Sequence, residues 1–225
     1  MLTLDGGIRA IDTATRDVRW TVPAPAGTVG EPGPQATAGG GRLVVSGTNG
    51  HVFALDTGTG RQVWQIPGQS LDPLLPVIDG GVVLLGGRTL TARALPDGRE
   101  LASVEAQTRP EHSKGGWGPP TVYEDKVIAL DGGLFRRFDK KLSRLDYWPA
   151  STEGARPALQ PLVVQGNTLW AVEGGPHFGV SALSRSDDTL MWTYQPDNRG
   201  PWSMTGAGNR VFLVSRGELT AMPVF

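Results

Sequence analysis

The sequence predicts an all-β protein, a β-propeller of four-stranded antiparallel blades, from three observations. Its 225 residues include 32 Gly and 18 Pro, a density typical of many short strands joined by turns. One structural unit, clearest in Gly41–Trp64, recurs along the chain. The period, roughly 40 to 45 residues with several short strands in each unit, is that of a propeller blade. We therefore expect a single domain over residues 1–225 with about five to six units, in a closed or an incomplete ring.

Each element of the unit has a local explanation. Leu43–Ser46 and His51–Leu55 are apolar runs with the composition of strands. Asn49 and Gly50 join them, and this dipeptide favours a two-residue hairpin turn because both residues tolerate positive φ. After Asp56 a Thr-Gly-Thr-Gly turn leads to a further strand with a tryptophan. A first strand upstream completes four antiparallel strands, whose apolar faces must be buried against neighbouring units.

The repeat can be aligned on Asp56. The residues at its position in the other units are Asp12, Pro96, Asp139, Ser184 and Pro223. A tryptophan follows eight or nine residues later in four units: Trp20, Trp64, Trp148 and Trp192. The third unit has Leu101 instead. The units cover roughly residues 1–24, 34–68, 73–104, 117–150, 157–196 and 200–225.

One segment has an alternative. The apolar residues between Leu134 and Leu145 are also spaced as in an amphipathic helix. The register of Asp139 with Trp148 favours a strand, a turn and a second strand, with the basic residues around Arg136 and Lys140 on the turn. We expect strands here.

Composition excludes several classes of protein. The net charge of −1 gives no basic surface for nucleic acid, and the absence of Cys removes thiol catalysis and Cys-type zinc sites. No apolar run is long enough to span a bilayer, and the N-terminus lacks the pattern of a signal peptide. We expect no nucleic-acid partner and no membrane insertion. The chain as written predicts a cytoplasmic protein, or an extracytoplasmic one if it is a fragment of an anchored protein.

The segment Ala54–Trp64, with Ala-Leu-Asp, Thr-Gly and Trp in order, resembles the PQQ-like, quinoprotein-type β-propeller repeat. Ala10–Trp20 matches well and Ala182–Trp192 in part, so the resemblance covers essentially the whole chain. Family members usually have about seven or eight blades, which implies that this chain is the C-terminal piece of a longer protein. The resemblance also implies that a set of turn and strand residues docks one blade on the next: Trp20, Trp64, Trp148, Trp192, Asp12, Asp56 and Asp139.

The quinone cofactor of the family does not carry over. Quinoprotein dehydrogenases of this fold resemble one another in a vicinal Cys pair and a carboxylate-bound Ca²⁺, and this chain has neither Cys nor an acidic cluster of calcium-loop spacing. We expect no cofactor and no metal. The chain resembles the non-catalytic branch, which includes an outer-membrane barrel-assembly lipoprotein and domains appended to Ser/Thr kinases.

Four loop residues are candidates for binding a ligand or partner. Trp117 and Trp202 lie off the docking register and precede the first strands of two units, so they could form an apolar recognition surface. The alternative is that both pack against neighbouring loops. His112 and His177 lie in long loops, where function concentrates.

These observations predict a non-enzymatic binding or scaffold module for a protein or a small ligand, within a larger bacterial protein. No set of acid, base and nucleophile is visible, so we expect no catalytic residues. Two alternatives stay open. One is a regulatory or sensor domain of a Ser/Thr kinase. The other is a quinone- or sugar-processing propeller enzyme using Asp125, Glu124 and His112.

Overall fold

The computed structural model describes residues 7–23, 33–48, 50–68, 74–106, 116–131, 134–151, 161–173, 179–187, 189–194, 203–215 and 217–224. Within these ranges the regular structure is β-strand, without a helix. The prediction of an all-β chain is therefore confirmed. Leu134–Asp139 and Arg144–Ser151 are both strands, so the helical alternative for this segment is wrong.

The chain divides into two compact units, Met1–Ser103 and Val104–Phe225. The first unit begins with a two-stranded sheet of β1 (Gly7–Ile11) and β2 (Val18–Pro23). A four-stranded sheet follows: β3 (Gln35–Gly39), β4 (Arg42–Ser46), β5 (Val52–Asp56) and β6 (Gln62–Ile66). The next sheet consists of β7 (Val77–Asp79), β8 (Val82–Leu85), β9 (Thr89–Ala94) and β10 (Glu100–Glu105), which ends just inside the second unit.

The second unit contains two further four-stranded sheets and a three-stranded one. The first of them is β11 (Thr121–Tyr123), β12 (Lys126–Asp131), β13 (Leu134–Asp139) and β14 (Arg144–Ser151). The second is β15 (Val163–Gln165), β16 (Thr168–Glu173), β17 (Gly179–Ser184) and β18 (Leu190–Tyr194). The last is β19 (Ser203–Ala207), β20 (Arg210–Ser215) and β21 (Glu218–Pro223).

In each sheet the strands lie side by side in chain order, and the pairs for which a register is defined are antiparallel, for example β4 with β5 and β20 with β21. The described residues thus form six sheets, one for each repeat unit, and we call them blades one to six in chain order. In the four complete blades, strands three and four are joined by the turn that the repeat places after Asp56.

The register predicted for blade three is wrong by two residues. The Asp56 N–H donates to the Arg61 carbonyl across its turn at 2.9 Å, and the Ala94 N–H donates to the Arg99 carbonyl at 2.8 Å. Ala94, rather than Pro96, therefore has the position of Asp56. Counted from Ala94, the residue equivalent to Trp64 is Ala102, while Leu101 is an exposed residue beside it. Alanine has no side-chain oxygen to accept hydrogen bonds from the turn. The position of this turn in blade three therefore cannot be recognised from an aspartate in the sequence.

Both faces of β5, the third strand of blade two, are buried, each against a different neighbour. In β5, Val52 and Ala54 belong to a cluster with Val83 and Leu85 of β8. Phe53, on the other face, packs in a separate cluster with residues of blade one. Because successive side chains of a strand point to opposite faces, an unbroken apolar run is what a strand with two covered faces requires.

Candidate functional site

In the first unit, two tryptophans of the repeat pack against the turn between strands three and four of the following blade. The Trp64 indole donates its Nε1–H to the Leu95 carbonyl at 2.9 Å. Its ring lies against Gly98, where a Cβ would be 2.8 Å from Trp64 Cδ2. Trp20 makes the equivalent bond to the Thr57 carbonyl at 2.9 Å and lies against Gly60 in the same way. Each indole thus fixes a fourth strand to a backbone carbonyl, and a glycine leaves room for the ring.

The aspartates of the repeat hold their own turns. Asp56 Oδ1 accepts from the backbone N–H groups of Gly58 at 3.1 Å and Thr59 at 3.0 Å. The hydroxyl of Thr59, then its N–H, lower the pKa of Asp56 below the ordinary value. A hydrogen bond from Arg19 is the main cause of the lowered pKa of Asp12. Both groups are therefore ionised turn-forming carboxylates rather than proton donors at neutral pH.

The turn of blade four is built in the same way. Asp139 Oδ1 accepts from the N–H groups of Lys141 and Ser143, each at 2.9 Å. On the following strand, Asp146 pairs with Arg137, in the register that Trp64 has opposite Ala54 in blade two. Trp148 therefore lies two residues beyond the docking register, and its side chain is outside the described part of the structure.

Trp117 lies in the interior of the second unit. Only 2% of its surface is exposed. Its Nε1–H donates to the Val104 carbonyl at 3.0 Å, and its ring meets Phe138 edge to face with 5.5 Å between centroids. A side chain buried to this extent offers no surface to a partner, so for Trp117 these contacts match the packing alternative.

The other candidate binding residues, Trp202, His112 and His177, lie outside the described residues, so their predicted role in recognition stays a prediction. Trp192 of the docking set is described, and its ring meets Trp170 edge to face, with 5.0 Å between the centroids.

A polar cluster that sequence analysis missed joins the turns of blades four and five. The Arg185 guanidinium carbon lies 3.6 Å from the centroid of the Tyr123 ring. Arg185 also donates to the Gly166 carbonyl, and its Nη2 is 3.4 Å from Glu124 Oε1. The Tyr123 hydroxyl donates to the same carboxylate oxygen. We call Tyr123, Glu124 and Arg185 the turn cluster.

The turn cluster is partly exposed. Glu124 has φ of 53° in the turn between β11 and β12, and its side chain is exposed while that of Arg185 is mostly covered. Burial lowers the pKa of Arg185 from its usual value, but a guanidinium remains charged at neutral pH. Sequence analysis had no means to find the cluster, since Arg185 and Glu124 are 61 residues apart.

The two carboxylates that the enzyme alternative would use are engaged in ion pairs. Glu124 belongs to the turn cluster, and Asp125 Oδ2 is 2.7 Å from the Lys126 ammonium. That hydrogen bond is the main cause of the lowered pKa of Asp125, which keeps the group ionised. His112, the third residue of that alternative, lies outside the described residues. A lowered pKa does not suit Asp125 to general acid catalysis at neutral pH.

Within the described ranges, no group of three or more His, Asp or Glu residues is placed to hold a metal ion. The described part of the chain likewise contains no helix with the length and apolar character needed to cross a membrane.

Sequence comparison identifies relatives. A family profile described as outer membrane protein assembly factor BamB matches residues 4–146, more than half of the chain. A protein of the same description from Moranella endobia (strain PCIT) is 26% identical over 170 residues, which cover 70% of this chain and 42% of that protein. The chain therefore spans less than half the length of this relative.

Structural comparison identifies the fold. BamB from Moraxella catarrhalis superimposes with a TM-score of 0.70 and 19% identity, over 99% of this chain and 72% of that one. The computationally designed protein Ika8 also gives 0.70, with 14% identity, over 98% of this chain and 66% of that one. Together with the four-stranded antiparallel blades, this similarity confirms the predicted β-propeller fold.

Proposed function

The chain belongs to the PQQ-like β-propeller family described as outer membrane protein assembly factor BamB, and on that premise we propose that it is a non-enzymatic module that binds other proteins. The relatives are described as outer membrane protein assembly factors. We extend this to the present chain as a proposal: its partners are proteins of an envelope assembly complex, and it works outside the cytoplasm.

The observation that carries the proposal is the turn cluster. Tyr and Arg are the residue types that contribute most binding energy at protein interfaces when they are held in partly desolvated positions. Arg185 is fixed by its contacts with Tyr123 and Gly166 before any partner arrives. Such preorganisation lowers the entropy lost on binding. The exposed carboxylates of Glu124 and Asp125 lie beside it, so the surface fits a polar, partly basic segment of a protein.

Photo-crosslinking tests this proposal at a single residue. A photoreactive amino acid in place of Asp125, whose side chain is exposed, should give a discrete protein adduct in cells of the source organism. The matched control is the same amino acid in place of Arg61, on an exposed turn of blade two. The partner identified in this way should bind the purified Arg185→Ala variant at least tenfold more weakly than the unsubstituted chain, because the variant loses the ordered guanidinium.

Circular dichroism would verify that Arg185→Ala remains folded. The proposal would be overturned if Asp125 and Arg61 gave the same adducts, or if the folded variant bound the partner with unchanged affinity. Among the described residues no contact favours the kinase-sensor or the processing-enzyme alternative. The predicted surface of Trp202, His112 and His177 can be tested in the same way, with the photoreactive amino acid in place of His112.

A further inference from the structure

The turn between the first and second strands of a blade has a different residue in blade four. In blades two, three, five and six this turn begins with a glycine at positive φ: Gly40, Gly80, Gly166 and Gly208. Blade four has Glu124 at this position, with φ of 53°. The positions are equivalent, because each residue stands directly after the last residue of the first strand. Residues with a side chain are disfavoured at such φ, so Glu124 occupies the turn at a cost in local stability.

The residue that meets this turn from the following blade differs as well. It stands one position after the turn residue of the third strand, and its N–H donates to the second residue of its own blade's first turn, as for Leu95 and Arg185. In blade three it is Leu95, and a Cβ on Gly40 would lie 2.7 Å from its Cδ2. In blade five it is Arg185, whose Nη2 is 3.4 Å from Glu124 Oε1. Glutamate and arginine thus stand where the first unit has glycine and leucine.

The two differences depend on each other. A side chain in place of Gly40 would overlap Leu95, so a glutamate in this turn requires a facing residue other than leucine. Arg185 supplies the opposite charge and lies on the Tyr123 ring. Since glycine and leucine are sufficient to pack blades two and three at this point, packing does not account for the ion pair. Backbone strain that packing does not require is typical of functional sites.

The charge that this turn exposes is negative. The side chains of Glu124 and Asp125 are 66% and 73% exposed, whereas those of their partners Arg185 and Lys126 are 22% and 34% exposed. The contacts of Glu124 with the Tyr123 hydroxyl and with Arg185 are both made through Oε1. Oε2 remains able to accept hydrogen bonds, since a carboxylate has about four lone-pair sites. The turn therefore complements a positively charged group.

We propose that Glu124 determines which protein segment this surface binds, by accepting a hydrogen bond from a lysine or arginine side chain of the partner, and that Arg185 is the positioning residue that holds its carboxylate. This inference rests on the proposed binding of other proteins and adds the residue that selects among them. A hydrogen bond between a carboxylate and a cationic side chain is stronger than one between neutral groups. Complementary charges of this kind contribute to specificity more than to affinity.

Arrays of short random peptides test the proposal without an identified partner. The full chain should bind peptides that contain lysine or arginine at least about fivefold more strongly than peptides without them, as expected for one hydrogen bond between charged groups. Glu124→Gln should abolish this preference, because glutamine keeps the shape of the side chain and an acceptor for Tyr123 but loses the charge. The matched control is Glu100→Gln, since Glu100 is also a partly exposed carboxylate paired with an arginine, Arg93 at 2.7 Å. This control should keep the preference.

The double variant Glu124→Gly, Arg185→Leu separates recognition from packing. It recreates the pair of Gly40 and Leu95, so circular dichroism should be unchanged and the melting temperature should stay within about 4 °C of the unsubstituted chain. The preference for basic peptides should be lost. Unfolding of this double variant would show a structural role for the ion pair and would overturn the proposal. So would a full chain without the preference, a preference that survives in Glu124→Gln, or an equal loss in Glu100→Gln.

Failure of this inference can be distinguished from failure of the proposed function. If a partner crosslinked at Asp125 binds the Glu124→Gln variant with unchanged affinity, the chain binds proteins but Glu124 does not select them. If Asp125 and Arg61 give the same adducts, the proposed function itself is wrong.

Discussion

Blades two and four each contribute a buried indole that bonds a backbone carbonyl, but the tryptophan comes from a different part of the repeat in each. In blade two the indole comes from the fourth strand, where Trp64 donates to the Leu95 carbonyl. In blade four it comes from the segment before the first strand, where Trp117 donates to the Val104 carbonyl. Both rings are buried and both use their single N–H on a backbone acceptor. The packing requires an indole with a satisfied N–H rather than a tryptophan at one fixed position.

The turns between strands three and four also differ in the residue that stands at positive φ. The turn that receives Trp64 has Gly98 at positive φ, with the indole where a side chain would be. The corresponding turn of blade four has Leu142 at φ of 59°, and this leucine is buried. In the turns of blades two and three, glycine at positive φ thus accompanies an incoming tryptophan.

The largest effect is expected from removing either indole. Trp64→Ala and Trp117→Ala should each lower the free energy of unfolding by about 3–5 kcal/mol, as large-to-small changes of buried aromatic residues do. Chemical denaturation measures both, with Arg61→Ala on the exposed turn as a control expected to fall within about 0.5 kcal/mol. A Trp117 variant as stable as the control would show that blades two and four are not equivalent in this respect.

A smaller loss of stability is expected from Gly98→Ala. Comparing it with Gly41→Ala distinguishes steric overlap with the Trp64 ring from backbone strain at positive φ. Gly98→Ala places a Cβ 2.8 Å from the Trp64 ring at φ of +72°, whereas Gly41→Ala meets nothing within 4 Å at φ of +75°. Backbone strain should destabilise both variants by about 1–2 kcal/mol. Overpacking should add about 1–3 kcal/mol to Gly98→Ala alone. Equal unfolding midpoints for the two variants would argue against a close fit between the glycine and the indole.

The smallest effect concerns the turn carboxylate of blade two. Because folding lowers the pKa of Asp56, its contribution to stability is present above the pKa of the unfolded chain, about 3.9. That contribution is lost as the pH falls through the lower pKa of the folded state. Thermal unfolding at several pH values should therefore show a slightly smaller loss of stability in acid for Asp56→Asn than for the unsubstituted chain. Identical pH profiles would show that Asp56 does not contribute.

Much of the fold is determined by the sequence itself, because strands and turns depend on local chemistry. An unbroken apolar run accounts for β5, which is buried along nearly its whole length, and the Asp56 turn forms from hydrogen bonds within four residues along the chain. Blade three marks the limit of this reasoning. Where Ala94 stands in place of the aspartate, the sequence pattern points to Pro96 as the turn residue, and to Leu101 rather than Ala102 as the equivalent of Trp64.

The tertiary structure decided which side chains are covered. Trp117 has the sequence surroundings of an exposed loop residue, but Val104 and Phe138 bury it. Arg185 meets Glu124 across 61 residues of sequence. The physical reason is common to both: burial depends on contacts between sheets, and residues that are distant in the sequence supply those contacts.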